Sequence, residues 1–188
     1  MSTKKTKRRR PARAPLTAER VVAAAIAIAD EHGTAALTMR AVADALGVQA
    51  MSLYNHVANK DALLDRMVDA VFARIEVPTD TDWRTAMAAR ARAIHGALRV
   101  HPWAVGLLES RRSPGAITLL HHDATIGVLR QAGFSAAMVA HALAVLDAYV
   151  YGFALQELSL PLGPSEDVPA LAEEILASMP PDALPNLA

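Results

Sequence analysis

Residues 38–64 read Thr38-Met39-Arg40-Ala41-Val42-Ala43-Asp44-Ala45-Leu46-Gly47-Val48-Gln49-Ala50-Met51-Ser52-Leu53-Tyr54-Asn55-His56-Val57-Ala58-Asn59-Lys60-Asp61-Ala62-Leu63-Leu64. Met39, Val42, Ala43 and Leu46 recur at helical spacing behind Thr38, a residue type that caps helix N-termini. Leu46-Gly47-Val48 interrupts that pattern, and the sequence predicts a short helix over 49–56 with little apolar surface apart from Leu53. Two short helices joined by a three- to four-residue turn that contains glycine form a helix-turn-helix. Gly47 supplies the backbone freedom, Leu46 and Val48 anchor the pair on a preceding helix, and the polar residues of the second helix are left to face outward.

The preceding helix is predicted from Thr17, an N-cap followed by Glu19 in the first turn; Val22, Ile26 and Ala29 share one face, and Gly33 marks its end. On the other side, Asn59 caps a long fourth helix in which Leu64, Met67, Val68, Val71, Phe72 and Ile75 recur at i, i+3, i+4, i+7, i+8 and i+11, up to Pro78. The polar run Thr79-Asp80-Thr81-Asp82 is expected to be a hinge. Beyond it the pattern predicts helices near 82–99, 102–110, 113–131 (Ser113 as cap, Pro114 in the first turn) and 135–158. A proline-containing loop over 159–169 and a short helix near 170–178 follow. Ala and Leu are abundant and strand-like alternation never persists, so the expected fold is all-α. Three segments are expected: a disordered basic arm over 1–15, a helix-turn-helix domain with its connecting helix over 16–76, and a helical domain over 82–188.

Charge divides the chain at the same hinge. Of 188 residues, 53% are hydrophobic and 4% aromatic, and 19 Lys+Arg balance 19 Asp+Glu. Residues 1–75 nevertheless hold 12 Lys+Arg against 7 acids, and residues 76–188 hold 7 Arg against 12 acids. Lys4, Lys5, Lys7, Arg8, Arg9, Arg10 and Arg13 precede Pro15 with no acid among them, the composition of an arm that neutralises phosphates and makes binding salt-dependent. The alternative is a merely solvated tail.

Several classes are excluded or disfavoured. Without cysteine there is no disulfide scaffold, thiolate nucleophile, Fe–S cluster or thiolate zinc site. No Ser-His-Asp spacing, glycine-rich phosphate loop or His-Glu-x-x-His motif appears, and the adjacent His121 and His122 point to different sides of a helix, so neither enzyme chemistry nor a metal or cofactor is expected. The basic start followed by residues 21–29 imitates a signal peptide, but Glu19 and Arg20 abut the apolar run and the helical pattern continues beyond it. The charge-free stretch 131–146 is short of a membrane span and contains Gln131, Ser135 and His141. A cytoplasmic protein without membrane contact is the expectation.

The region around Leu53-Tyr54-x-His56-Val57-x-x-Lys60 resembles the DNA-binding domain of the TetR family of bacterial transcriptional repressors, and the likeness covers about residues 16–75. The resemblance implies a three-helix DNA-binding domain, a fourth helix joining it to a ligand-binding and dimerising helical domain, and release of operator DNA when an effector binds. A recognition helix presents donors, acceptors and small apolar groups at its N-terminal end to base edges. Gln49, Ala50, Met51 and Ser52 occupy that end: Gln49 suits an adenine edge, Ala50 or Met51 a thymine methyl, and Ser52 a base or phosphate. Tyr54, His56 and Lys60 match phosphate-contacting positions of the family, Thr38 and Arg40 sit where the second helix approaches the backbone, and Asn55 lies in the same run. The other reading of Tyr54 is a ring packed between helices.

The C-terminal half is similar to the tetracycline-repressor branch in its length and in its long helix followed by a proline-containing loop. An effector pocket is expected among its helices, with Met67, Val71, Met87, Trp103, Leu107, His121, Thr125, Tyr149 and Phe153 as candidates; core packing or dimer contact is the alternative for each. Arg74-Ile75-Glu76 stands where that branch carries a drug-binding histidine, so tetracycline is not the expected effector. Family members finish with a further amphipathic helix in the dimer interface, whereas this chain ends Leu184-Pro185-Asn186-Leu187-Ala188, the ending expected of a truncated chain. Dimerisation is therefore expected mainly on 135–158, through Met138, Ala142, Val145, Leu146, Tyr149 and Val150. A two-fold dimer places two recognition helices about 34–36 Å apart.

The expected function is a homodimeric repressor that binds a palindromic operator and is released by a small molecule. Two alternatives are a DNA-binding regulator without an effector and a helical small-molecule-binding protein with a vestigial DNA-binding module.

Overall fold

The computed structural model describes residues 15–110, 115–159 and 168–178. The basic arm expected over 1–15 lies outside these residues except for Pro15, as do the Ser113-Pro114 helix start and the chain's end. The described residues are helical, in the order α1 (Ala18–Ala36), α2 (Met39–Leu46), α3 (Ala50–Leu53), α4 (Lys60–Phe72), α5 (Trp83–Val100), α6 (Trp103–Ser110), α7 (Ala116–Gln131), α8 (Ala136–Ser159) and α9 (Val168–Ala177).

Several starts are side-chain capped. The Thr17, Thr38, Asn59 and Asp82 side chains each accept a backbone N–H of the first turn, from Arg20, Ala41, Ala62 and Arg84 respectively. Gly33 breaks α1 with a φ of +74°, a conformation that costs glycine little, and the chain resumes one more helical turn before Leu37. Gly47 closes α2 in the left-handed region (φ 61°, ψ 42°), and its N–H returns to Asp44 O, which reverses the chain into α3.

Three boundaries differ from the sequence reading. The helix expected over 49–56 is only Ala50–Leu53; the N–H groups of His56 and Val57 both return to Leu53 O, so 54–56 form a tight turn. Burial of Val57 draws the chain back into the core at that point. Helix α4 stops at Phe72 rather than near Pro78: Arg74 N bonds Val71 O and Ile75 N bonds Phe72 O, tightening the last turn, and Pro78 disfavours helix at Val77 before it. Ile75 stays buried although it has left the helix. Helix α9 begins at Val168, so Pro169, read as loop, sits in a first turn, where proline removes no needed donor.

Apolar side chains form three clusters. The first joins Val21, Val22, Ala25 and Ala29 of α1 to Val42, Ala43, Leu53, Val57, Leu63 and Met67. The second joins Val68, Phe72 and Ile75 to Ile94, Leu98, Val105, Val150 and Ala154. The third packs Ala86 and Met87 against Val128, Leu129 and Val139. Helix α4 contributes to the first two, and α1, α6 and α7 pack alongside it, so residues 16–76 are seated on the C-terminal helices rather than tethered by a free linker.

Candidate nucleic-acid interface and interior polar site

The turn between α2 and α3 carries Leu53 and Val57 inward and leaves their neighbours outside. Met51 is 74% exposed, and Arg40, Gln49, Tyr54 and Asn55 are exposed as well. Ala50, Ser52, His56 and Lys60 are half-buried. The Gln49 side chain makes no capping bond to α3, so its amide is not consumed by its own helix. Thr38 differs: its hydroxyl oxygen accepts from Ala41 N at 3.0 Å, which fixes the start of α2 and leaves only the O–H to give. Tyr54, for which the sequence also allowed a ring packed between helices, leaves 44% of its surface open. Arg66, on α4, donates to His56 O at 2.9 Å and holds the 54–56 turn against the fourth helix. The helix-turn-helix thus sets small apolar, amide, hydroxyl and cationic groups on the outside of an apolar core.

The candidates for the effector pocket do not form one group. Met67 is fully buried in the first cluster, Met87 packs in the third, and Leu107 flanks the second. Val71 borders a shallow cavity of about 260 Å³ between the end of α4 and α5, with Arg74, Ile75 and His101. Trp103 donates its indole N–H to Asp30 Oδ1 at 2.6 Å, and His101 Nδ1 lies 2.7 Å from the same oxygen, so one carboxylate on α1 is gripped from the α5–α6 corner.

Tyr149 and Phe153 are not enclosed as pocket candidates would be, and Tyr149 stands on the exposed stripe also expected of it. They are 69% and 47% exposed, stack on one another with ring centroids 6.2 Å apart, and line an open groove of about 170 Å³ with Arg92 and His95. The phase of α8 explains this: Val139, Val150 and Ala154 are the buried positions, and a step of one residue turns a side chain by about 100°. For the same reason Val150, expected on the exposed stripe, is core, and Leu146 is partly buried against the third cluster, while Met138 and Val145 are exposed. Helix α8 is long and apolar enough to cross a membrane by length and composition, which the shorter stretch 131–146 was not.

His121 and Thr125, four residues apart on α7, are both buried. Thr125 spends its hydroxyl on His121 O at 2.8 Å. His121 is 6% exposed, edge-on to Phe72 with centroids 5.5 Å apart, and neither ring nitrogen has a partner. Burial, then the charge of Arg90, pushes its pKa down to about 4, so the ring is neutral near pH 7.

Sequence reasoning missed the group beside it. Arg90 is 0% exposed; its Nη2 donates to Asp147 Oδ1 at 2.7 Å, and its Nε and Nη1 have no partner. Burial raises the Asp147 carboxyl, but the His122 hydrogen bond and Arg90 outweigh it and hold the group below its usual range. Burial, reinforced by Asp147, lifts Tyr151 to about 12. A signal was available: Arg90 interrupts the inward stripe Trp83, Met87, Ile94, and Asp147 falls three residues before buried Val150.

The site touches α4 directly. Thr118 Oγ1 on α7 donates to Asp69 Oδ1 on α4 at 3.1 Å, and a Cβ at Gly115, the N-cap of α7, would fall onto that carboxylate. Among the described residues no group of His, Asp and Glu is arranged to hold a metal ion.

Two family descriptions match the chain: "Bacterial regulatory proteins, tetR family" over residues 21–67, and "Tetracyclin repressor-like, C-terminal domain" over residues 77–188. The chain is 38% identical over 156 residues to the HTH-type transcriptional repressor DrrR1 of Streptomyces coeruleorubidus, covering 80% of this chain and 58% of that protein. It spans about three fifths of the length of DrrR1 and of an HTH-type transcriptional regulator of Saccharopolyspora erythraea, to which it is 37% identical over 139 residues. The TetR family protein ActR of Streptomyces coelicolor, solved in complex with actinorhodin, superposes with a TM-score of 0.79 at 30% identity, covering 93% of this chain and 83% of ActR. BioQ, solved with its double-stranded DNA operator, superposes with a TM-score of 0.66 at 34% identity, covering 78% of this chain and 90% of BioQ.

Proposed function

The chain belongs to the TetR family of bacterial regulatory proteins, and from that premise we propose that it is a homodimeric repressor that grips operator DNA through residues 38–60 and lets go when a small molecule enters its C-terminal helices. The observation that carries the proposal is the separation of two surfaces: an exposed reading edge around Met51 and Tyr54, and unpartnered polar groups sealed inside the other domain. The domain division at 76–82, the phosphate roles of Thr38, Arg40, Tyr54, His56 and Lys60, and the base-edge roles of Gln49, Ala50, Met51 and Ser52 are part of the proposal, as is action in the cytoplasm.

A single α3 reads too few base pairs, so two copies are needed. The exposed apolar row Met138, Val145, Tyr149 and Phe153 on α8 is the surface for that second copy, because water-exposed apolar rows of this length in soluble proteins mark association sites. Release works by linkage: a ligand that prefers the conformation unable to span two successive major grooves draws the population there. The route from the interior site to the reading edge runs through α4, held by Thr118–Asp69 and Phe72–His121 toward its C-terminal end and tied from mid-helix to the 54–56 turn by Arg66–His56.

The test is binding to fragments of the DNA flanking its own coding sequence, at graded salt. Preference over random DNA with a steep salt slope, lost in an Arg40→Ala plus Tyr54→Ala variant, supports the reading; equal binding by that variant refutes it. Sedimentation of Tyr149→Asp, expected to shift the dimer toward monomer, tests the second surface.

A further inference from the structure

Buried polar atoms without partners are rare in folded proteins, because each forfeits its hydrogen bonds to water at a cost of about 1–3 kcal/mol, more for a charged group. Four such atoms are found here, Arg90 Nε and Nη1 and both ring nitrogens of His121, on two residues close enough for the Arg90 charge to act on the His121 ring. They come from two helices, α5 and α7, and both residues are more than nine-tenths buried. We propose that these atoms receive the oxygens of a neutral, largely apolar molecule that carries both a carbonyl and a hydroxyl group, an inference that rests on the effector reading above.

The class follows from charge and donor type. Arg90 can only donate, so it requires an acceptor oxygen. Asp147 already lies 2.7 Å from Arg90 and neutralises it, and His122 Nε2 is 3.7 Å from the other Asp147 oxygen. A carboxylate ligand would add a second negative charge beside Asp147, and a cation would meet Arg90; both are costly inside a low-dielectric interior. A carbonyl satisfies the guanidinium N–H without adding charge. His121, neutral near pH 7, offers one N–H and one lone pair, which a hydroxyl matches because it both donates and accepts. The ligand meets carbon on the Phe72 side, where that ring stands edge-on to His121, and Tyr151 adds no charge because it stays protonated. Because Phe72 belongs to α4, a molecule seated on His121 touches the helix that carries the reading edge.

Three compounds on one two-ring frame separate the possibilities when titrated into the full chain: 6-hydroxy-1-tetralone, tetralin, and 1,2,3,4-tetrahydro-2-naphthoate. Binding is followed by protein NMR shifts, and release by the anisotropy of labelled operator. The hydroxytetralone is expected to bind at least roughly tenfold more tightly than either comparator, the equivalent of about one buried hydrogen bond. His121→Phe, which keeps an aromatic ring in place but removes both ring nitrogens, should erase that preference. The paired variant Arg90→Met with Asp147→Leu should erase it too, without stranding a buried charge. Equal binding of tetralin, stronger binding of the carboxylate, or binding by none of the three overturns the ligand class. Binding of the hydroxytetralone without DNA release leaves the class standing and refutes the effector reading; release by tetralin or the carboxylate at the same or lower concentration does the reverse.

Discussion

The two halves of the molecule are built with opposite polarity. In residues 16–67 the core is apolar throughout, with Val21, Val42, Leu53 and Leu63 fully buried, and the polar groups stand outside. Among the described residues, every buried polar or charged side chain, namely Arg90, His101, Thr118, His121 and Thr125, lies beyond residue 76, and most of the large exposed apolar side chains lie there too, from Val100 to Leu176. A core of the first kind is complete by itself. On the proposed reading, a domain with polar atoms inside and an apolar row outside is completed by a ligand within and a second copy without, which would place reading in one half and sensing in the other.

The sharpest way to break this contrast is to unbalance the interior. Arg90→Met leaves the part-buried Asp147 with only His122 beside it and should cost about 3 kcal/mol in urea unfolding. Adding Asp147→Leu should recover most of that loss. If the single variant costs no more than a surface substitution, the interior is wetter than described. In the other half, Leu53→Ala removes a fully buried anchor of α3 and should cost about 2–5 kcal/mol, with DNA binding falling alongside.

A third variant sharpens the contrast through pH. His121 titrates at about 4 when folded, against 6.5 ordinarily, so below pH 6.5 the unfolded chain takes up a proton that the folded chain refuses. Its contribution to stability is therefore present above pH 6.5 and lost as pH falls toward 4, by up to about 3 kcal/mol. His121→Phe should raise the melting temperature near pH 7 and flatten the decline between pH 6.5 and 4; an unchanged decline would place the acid sensitivity elsewhere.

The smallest expected effect is at the junction between the halves. Gly115→Ala puts a methyl group where the Asp69 carboxylate lies and should displace it from Thr118, costing about 1 kcal/mol, with operator affinity changing more than stability does. Equal changes in both would make this contact structural only.

The reading half was the more legible in sequence, and the physical reason is locality. Thr38, Gly47 and Asn59 specify caps and a turn through neighbours three or four residues away, so the helix-turn-helix could be placed before any tertiary contact was known. The shortness of α3 was not visible, because it depends on Val57 being pulled into the core from outside the helix. The sensing half is organised by partners far apart: Arg90 meets Asp147 across 57 residues, and Asp30 meets His101 and Trp103 across 71 and 73. Tyr149 and Phe153, named among the pocket candidates, are exposed on α8, whereas the polar residue that interrupts an apolar stripe, Arg90, was the better guide to the interior.

Hydrogen exchange of the full chain, free and bound to DNA selected from a random pool, tests the division most directly. The account predicts strong protection over residues 38–60, a smaller change along α4 and at the start of α7, and none over the exposed face of α8 beyond what the dimer already protects. Protection concentrated in the C-terminal helices with residues 38–60 unchanged would contradict it.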